Sequence, residues 1–287
     1  MRRAIISDQV NMDFEEALHR IRKHFEYVEI HSLWDKTVED LDDDEAREVE
    51  TLLKRYGVKV SCLSTTLFLM CPLYTSVETL RRFSDAFLVF TGDVNAHTER
   101  LRRCIELSDR FGTTHIRIFP FRTEEGMDVD FSTCISDMKE TLSVGVSLAE
   151  KDGKLLCLEN CPHSYLPRGN MTFELVRSIN SENIALLYDP GNSFRAPTSQ
   201  IPERFRQATL RDEYEHIKEL VGYFHFKDYR KTEDGFQHVA FGEGDVGFRD
   251  LYVLIRRGND ERTLSLEPEV KNEALEESIR NFIALVT

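Results

Sequence analysis

The sequence predicts an α/β chain folded as a (β/α)8 TIM barrel in a single domain. Three observations carry this. A unit recurs in which an amphipathic helix ends at a glycine and a short apolar strand follows. The strand candidates number eight. The chain has 287 residues, and one barrel of this kind typically takes ~250.

The strands read in order as "AIIS" (4–7), "YVEIH" (27–31), "VKVSCL" (58–63), "THIRIF" (114–119), "KLLCLE" (154–159), "IALLYD" (184–189), "YFHFKD" (223–228) and "TLSLE" (263–267). The helices between them carry stop signals. "TVEDLDDDEAREVETLLKRYG" opens with Thr37 and Asp40 spaced as a capping box and stops at Gly57. "TERLRRCIELSDRFG" stops at Gly112, and a helix over about 130–150 gives way at Asp152-Gly153. "DEYEHIKELVG" and "FRDLYVLIRRG" precede the last two strands. In the terminal "EALEESIRNFIALV", Leu275, Ile279, Phe282, Ile283 and Val286 form one helical stripe. A doubly wound open sheet is the competing α/β plan, but no G-x-G-x-x-G follows the first strand. No composition shift divides the chain. Residues 64–97 form the longest insertion between a strand and its helix, placed to shape the barrel mouth.

Composition narrows the function classes. Hydrophobic residues make up 41% and charged residues 31%, which is ordinary for a soluble globular protein. A net charge of −14 opposes a nucleic-acid backbone, which needs basic patches. The most apolar stretches, "TTLFLMCPLY" and "AFLVF", are too short to cross a bilayer. "MRRAIISDQV" turns polar by Ser7, unlike a signal peptide. The six cysteines show no CxxC pair and read as reduced thiols of a cytoplasmic protein. The acidic run "EDLDDDE" at 39–45 reads as a solvated face early in a helix.

Alternation then separates the two faces of each strand. One must be apolar to meet the helices; the other points to the barrel axis. In "YFHFKD", Phe224 and Phe226 meet the helices, so Tyr223, His225 and Lys227 point inward. By the same rule "KLLCLE" sends Glu159 inward, "IALLYD" sends Asp189 and "TLSLE" sends Glu267. Four consecutive strands thus deliver Glu159, Asp189, His225 and Glu267 to the C-terminal end of the barrel, where active sites of this fold form. Three converging buried carboxylates repel one another unless a cation neutralises them. One imidazole and three carboxylates suit an octahedral divalent ion, Mn²⁺, Co²⁺ or Mg²⁺, better than a closed tetrahedral Zn²⁺. His115 and Arg117 point inward one strand earlier, and Arg117 reads more readily as an ion-pair partner of a ligand carboxylate than as a substrate contact. Glu29 and His31 are further inward candidates, and Trp34 lies just beyond them.

At these residues the chain resembles the xylose isomerase-like TIM-barrel superfamily, the sugar phosphate isomerase/epimerase group. The matching motifs are "CLEN" with Glu159, "YDPGN" with Asp189, "HFKD" with His225, Lys227 and Asp228, "FGEGDVGF" at 241–248, and "LSLEPE" with Glu267. Their order and spacing agree over essentially the whole chain. The resemblance implies one divalent metal on Glu159, Asp189, His225 and Glu267, and a reaction on a ketose, a polyol or a relative. Many members have His where this chain has Asn192, a substrate-facing position. Free-ketohexose 3-epimerases often have Arg where this chain has Lys231. "HFKD" is closer to the isomerases and dehydratases of inositol catabolism. Abasic-site endonucleases of the same barrel need a larger His-rich cluster that is not present at the matching places.

The expected chemistry follows. A metal-chelated carbonyl acidifies the adjacent C–H. Glu159 and Glu267 serve opposite faces of that carbon as proton acceptor and donor, while Lys227 holds the enediolate. Epimerisation and isomerisation share this intermediate, and loss of a β-hydroxyl from it gives a dehydratase or lyase instead. A metal-dependent hydrolase and a non-catalytic sugar-binding barrel are the more distant readings. Asn160 and His163 follow Glu159 on a mouth loop, placed either to touch substrate or to hold the loop; Glu243 reaches the site or belongs to a plain glycine turn. Asn192, Arg117 and Asp228 complete the substrate-binding candidates. The expected partner is a small sugar or polyol, with no nucleic acid and no membrane, bound by a monomer or a homo-oligomer.

Overall fold

The computed structural model describes residues 1–83, 88–124, 129–258 and 261–287. Eight parallel strands close a barrel: β1 (Arg2–Ile6), β2 (Tyr27–Ile30), β3 (Lys59–Leu63), β4 (His115–Ile118), β5 (Leu155–Glu159), β6 (Ile184–Tyr188), β7 (Val221–Phe226) and β8 (Thr263–Leu266). Each pairs with its neighbours in sequence, and β8 closes on β1. A helix follows each strand: α1 (Phe14–Ile21), α2 (Asp43–Tyr56), α3 (Val94–Phe111), α4 (Phe131–Lys151), α5 (Gly169–Ile179), α6 (Leu210–Ile217), α7 (Phe248–Ile255) and α8 (Glu273–Val286). Gly57 and Gly112 end α2 and α3 with φ of 65° and 73°, a left-handed conformation that costs a glycine nothing. No helix among the described residues is long and apolar enough to cross a membrane.

The strand phases sort the side chains as alternation requires. Leu156, Leu158, Leu186, Phe224, Phe226, Leu264 and Leu266 join the main core under the helices. Phe226 illustrates the packing: its ring meets Phe248 at 4.7 Å and Phe241 at 5.9 Å between centroids. Burying such a ring stabilises the fold by ~1.5–3 kcal/mol. Inside the barrel, Cys62, Cys157, Leu187 and Tyr223 form a separate small cluster with Leu155 beside it. All six cysteines are free thiols and buried.

Three features depart from the sequence reading. The capping box of α2 is not at Thr37 and Asp40. Asp42 caps the helix by accepting from the amides of Asp44 and Glu45, and the Glu45 side chain returns the bond to the Asp42 amide. Residues 32–37 are taken up by a two-stranded hairpin, Ser32–Leu33 with Lys36–Thr37, which delays the helix. Nor is the acidic run wholly solvated. Glu39 is buried, and its carboxylate accepts from the amide (3.0 Å) and hydroxyl (2.6 Å) of Thr66. Finally, an antiparallel hairpin, Asp228–Thr232 with Gly235–Val239, rises directly from β7, an element that the sequence reading does not include.

The insertion after β3 includes residues 84–87, which lie outside the described residues. Its described part folds over the barrel mouth, where Leu69, Met70 and Leu80 pack with Phe119 and Cys161 just beyond β4 and β5.

Candidate metal centre

Glu159 is the last residue of β5, Asp189 follows β6, His225 lies within β7 and Glu267 follows β8. All four are buried, and one ligand-type atom from each lies within 4.8 Å of the others. Register explains the convergence. Ser265 pairs with His225 across β8 and β7, and Glu159 pairs with Leu187 across β5 and β6, so the four positions sit at adjacent levels of one barrel end.

Each carboxylate is held by the chain around it. Asp189 caps the short helix Pro190–Phe194 by accepting from the Asn192 amide at 2.9 Å. Asn160 clamps the Asp189 backbone: its Nδ2 donates to the Asp189 carbonyl and its Oδ1 accepts from the Asp189 amide, each at 2.9 Å. Glu159 accepts from Arg117 Nη1 and from Asn192 Nδ2, both at 3.1 Å. Arg117 is anchored by the carbonyls of Thr65 and Ser64 and stands 3.6 Å from Glu267. Lys227 Nζ lies 2.7 Å from Glu267, 3.0 Å from Asp189 and 3.6 Å from Glu269. Gly191 is required by this arrangement, because a Cβ there would meet the Lys227 carbonyl at 2.7 Å.

His225 is oriented from behind. Its Nε2 contacts both oxygens of buried Glu29, at 2.9 and 3.0 Å. That leaves Nδ1 facing Glu267 at 3.2 Å and Glu159 at 3.4 Å, without a hydrogen bond. Tyr223 donates to Glu29 and meets Ser61, so the support reaches into the barrel interior.

The electrostatics follow from burial and close charge. Burial pushes Asp189 up to about 6, reinforced by Glu159 and Glu267 and opposed by Lys227 and His225. Burial works against charge on Glu267 too, but Lys227, His225 and Arg117 outweigh it and hold that carboxyl well below its usual range. Burial likewise opposes charge on His225 and Lys227, and their carboxylate neighbours overcome it, raising both.

Two buried ligand-type atoms, His225 Nδ1 and Asp189 Oδ2, make no hydrogen bond of good geometry and have charged neighbours close by, Glu267 at 3.2 Å from His225 Nδ1 and Lys227 Nζ at 3.0 Å from Asp189 Oδ2. Buried polar atoms are ordinarily satisfied. Three carboxylate oxygens and one imidazole nitrogen that converge within 4.8 Å fit a divalent cation.

The other expected residues divide. Arg117, Asn160 and Asn192 stand against the cluster in the contacts just given. Asp228 turns away: its carboxylate accepts from the amides of Tyr229, Gly242, Gly244 and Val246. Any side chain at Gly244 would collide with it, which accounts for the second glycine of "FGEGDVGF". Glu243 and His163 are exposed; the carbonyl of Glu243 accepts from Arg230 and that of His163 from the Thr123 amide. Trp34 packs edge-on against Phe14 at 6.2 Å. Sequence reasoning missed Glu269, Tyr229, His238 and Arg195. Tyr229 and His238 both bond the Glu269 carboxylate, at 3.0 and 2.9 Å. Glu269 lies beyond the end of β8 with a φ of 49°, so strand alternation does not reach it.

Residues 18–285 match the family described as xylose isomerase-like TIM barrel. The chain belongs to that family. Solved structures of similar architecture include a D-tagatose 3-epimerase-like protein, with a TM-score of 0.73 and 19% identity over 100% of this chain and 98% of that one. Another is the IOLI protein with a bound zinc atom, at TM-score 0.72 and 15% identity over 100% and 98% of the two chains. A third is the probable 3-DHS dehydratase AsbF of Bacillus anthracis, at TM-score 0.71 and 15% identity, again over 100% and 98%. At such identities these likenesses carry the fold. No curated protein matches the chain in sequence. Within a xylose isomerase-like barrel, the buried Glu/Asp/His cluster is a group that can bind a metal ion.

Proposed function

We propose that this chain is a divalent-metal-dependent isomerase or epimerase of a ketose, keto-polyol or sugar phosphate. Glu159, Asp189, His225 and Glu267 hold the ion, with Mn²⁺, Co²⁺ or Mg²⁺ preferred to Zn²⁺ by the oxygen-rich donor set. The observation that supports this best is the convergence of these four buried groups, three of them carboxylates. When bound, the ion polarises a carbonyl and acidifies the neighbouring C–H.

The chain's own residues do the rest. Glu159 and Glu267 rise from strands separated by β6 and β7, so they approach a substrate carbon from different sides. One accepts the proton and the other returns it. Lys227, paired with Glu267 and Asp189, places its ammonium where negative charge develops on the substrate oxygen. Asn192 and Arg117 fix the Glu159 carboxylate by donating to its two oxygens.

A dehydratase reading of the same site has its own support. Loss of a β-hydroxyl is helped by a proton donor at the leaving oxygen, and Tyr229 and His238 stand beside Glu269 near Lys227. One experiment separates the two. The Mn²⁺-loaded protein is incubated with ketoses, keto-polyols and their phosphates in D₂O, and the products are read by NMR. Deuterium at the α-carbon with a new epimer or isomer supports the first reading. Water loss to an unsaturated ketone supports the second. A protein that binds Mn²⁺ and changes none of these substrates overturns both.

A further inference from the structure

We propose that Arg195 is a specificity residue of this site and that the substrate carries an anionic group, a carboxylate or a phosphate, which Arg195 binds. The inference rests on the metal-enzyme reading above and adds the substrate's charge to it.

The observations concern where this guanidinium stands and what it lacks. Arg195 ends the short helix Pro190–Phe194 that Asp189 caps, so the segment that positions a cluster carboxylate also positions Arg195. Its Nη2 donates to Asn192 Oδ1 at 3.4 Å, and Asn192 Nδ2 donates to Glu159. Its guanidinium lies 4.9 Å from the centre of the Tyr229 ring, and Tyr229 bonds Glu269 beside Lys227. The group therefore flanks the cluster on two sides without entering it.

Its partners are few. Arg117 is spent on Glu159 and Glu267, and Lys227 on Glu267 and Asp189. Arg195 makes no ion pair among the described residues; its guanidinium has one long hydrogen bond and one ring contact, Glu269 and Asp189 attract it from farther off, and its buried Nε has no hydrogen-bond partner. A half-buried cation with open donors costs free energy unless something completes it. A guanidinium presents donors in a planar fork that matches a carboxylate or phosphate. In a chain of net charge −14, a local cation is also what lets an anionic substrate approach.

The test compares probes of equal carbon number. Xylitol is neutral, D-xylonate carries a carboxylate, and xylitol 5-phosphate carries a phosphate. Affinities are measured by calorimetry on Mn²⁺-loaded wild type, Arg195→Met and Arg195→Lys, each first shown to be folded and to bind Mn²⁺ as wild type does. One of the two anions should bind wild type at least ~10-fold more tightly than xylitol, as a charge-assisted fork requires; the arm that does so names the group. Arg195→Met should bring that anion to the xylitol level while xylitol is unaffected, and Arg195→Lys should keep part of the preference. Equal affinities for all three probes, equal losses in Arg195→Met, or no binding of any probe by Mn²⁺-loaded protein overturns the assignment and leaves the metal site standing. Failure of wild type to take up Mn²⁺ overturns the metal-enzyme reading instead, and the anion comparison is then read on the metal-free protein.

Discussion

Glu29 and His225 are 196 residues apart, yet the imidazole Nε2 touches both oxygens of that carboxylate at 2.9 and 3.0 Å, with both side chains fully buried. Burial pushes Glu29 up, but His225 and Arg117 outweigh it and leave the carboxyl below its ordinary value. A carboxylate behind an imidazole fixes the ring's orientation and raises its basicity as a ligand. Glu29→Gln removes the charge and keeps the shape. It should lower Mn²⁺ affinity ~10- to 100-fold while circular dichroism stays that of wild type. Calorimetric titration with Mn²⁺ reads this, and an unchanged affinity would show that Glu29 merely fills the barrel.

Lys227 has three carboxylates about it, and those neighbours, not burial, keep it charged. Lys227→Met removes the ammonium but adds no ligand atom to the cluster. Metal should remain bound, since a divalent ion takes over the neutralisation of Asp189 and Glu267. Turnover should fall by at least about 10-fold, the expected loss of an electrostatic stabiliser. An unchanged turnover number at full metal occupancy would return Lys227 to a purely structural part.

The barrel and the four converging side chains were legible because burial enforces a period of two. Phe224 and Phe226 must meet the helices, and this alone turns His225 and Lys227 to the axis. The hairpin at 228–239 was not legible by that rule. Only Asp228 and Tyr229 at its base are buried, and the pairs beyond them, such as Arg230 with Gln237, lie exposed and show no alternation. The start of α2 was misplaced because two capping spacings overlap, Thr37 to Asp40 and Asp42 to Glu45, and only the preceding hairpin decides between them. Arg195 and Glu269 gain their meaning from contacts with the hairpin that follows β7, through Tyr229 and His238. Glu269 also adopts a φ of 49°, unusual for a residue with a side chain and without trace in the sequence.

His97 offers a test of the fold that is independent of catalysis. Its Nδ1 accepts from the Phe68 amide at 3.1 Å, and its ring stacks on Phe68 at 5.5 Å and meets Phe90 edge-on at 4.8 Å. Burial holds its pKa down at about 4. In the unfolded chain the value returns to ~6.5. The unfolded state therefore binds a proton first as pH falls, so the stability due to neutral His97 is complete above ~6.5 and drains away between there and about 4. The interval corresponds to about 3 kcal/mol. Urea denaturation at pH 7 and pH 4 should show wild type losing about that much more stability than His97→Asn, which keeps an acceptor and does not titrate. Equal losses in the two proteins would place the titration elsewhere.

Glu159 and Glu267 are the pair on which the proposed chemistry turns. Alanine at either position would confuse loss of metal with loss of a base. Glutamine keeps the shape and one oxygen, but does not accept a proton as a carboxylate does. Their surroundings differ in a way that bears on the outcome. Glu159 is held by Arg117 and Asn192, so Glu159→Gln sets an amide against the existing donors. Glu267 is held by Lys227 and Arg117, both cations, so Glu267→Gln leaves a less compensated positive site. Each variant should keep weak Mn²⁺ binding, more weakly for Glu267→Gln. With a pair of epimeric substrates in D₂O, each variant should abolish α-hydrogen exchange from one epimer more severely than from the other, because each carboxylate serves one face of the carbon. NMR integration of the α-proton measures this directly. Equal losses from both epimers would remove the division of labour, and full exchange in either variant would leave that glutamate a metal ligand alone.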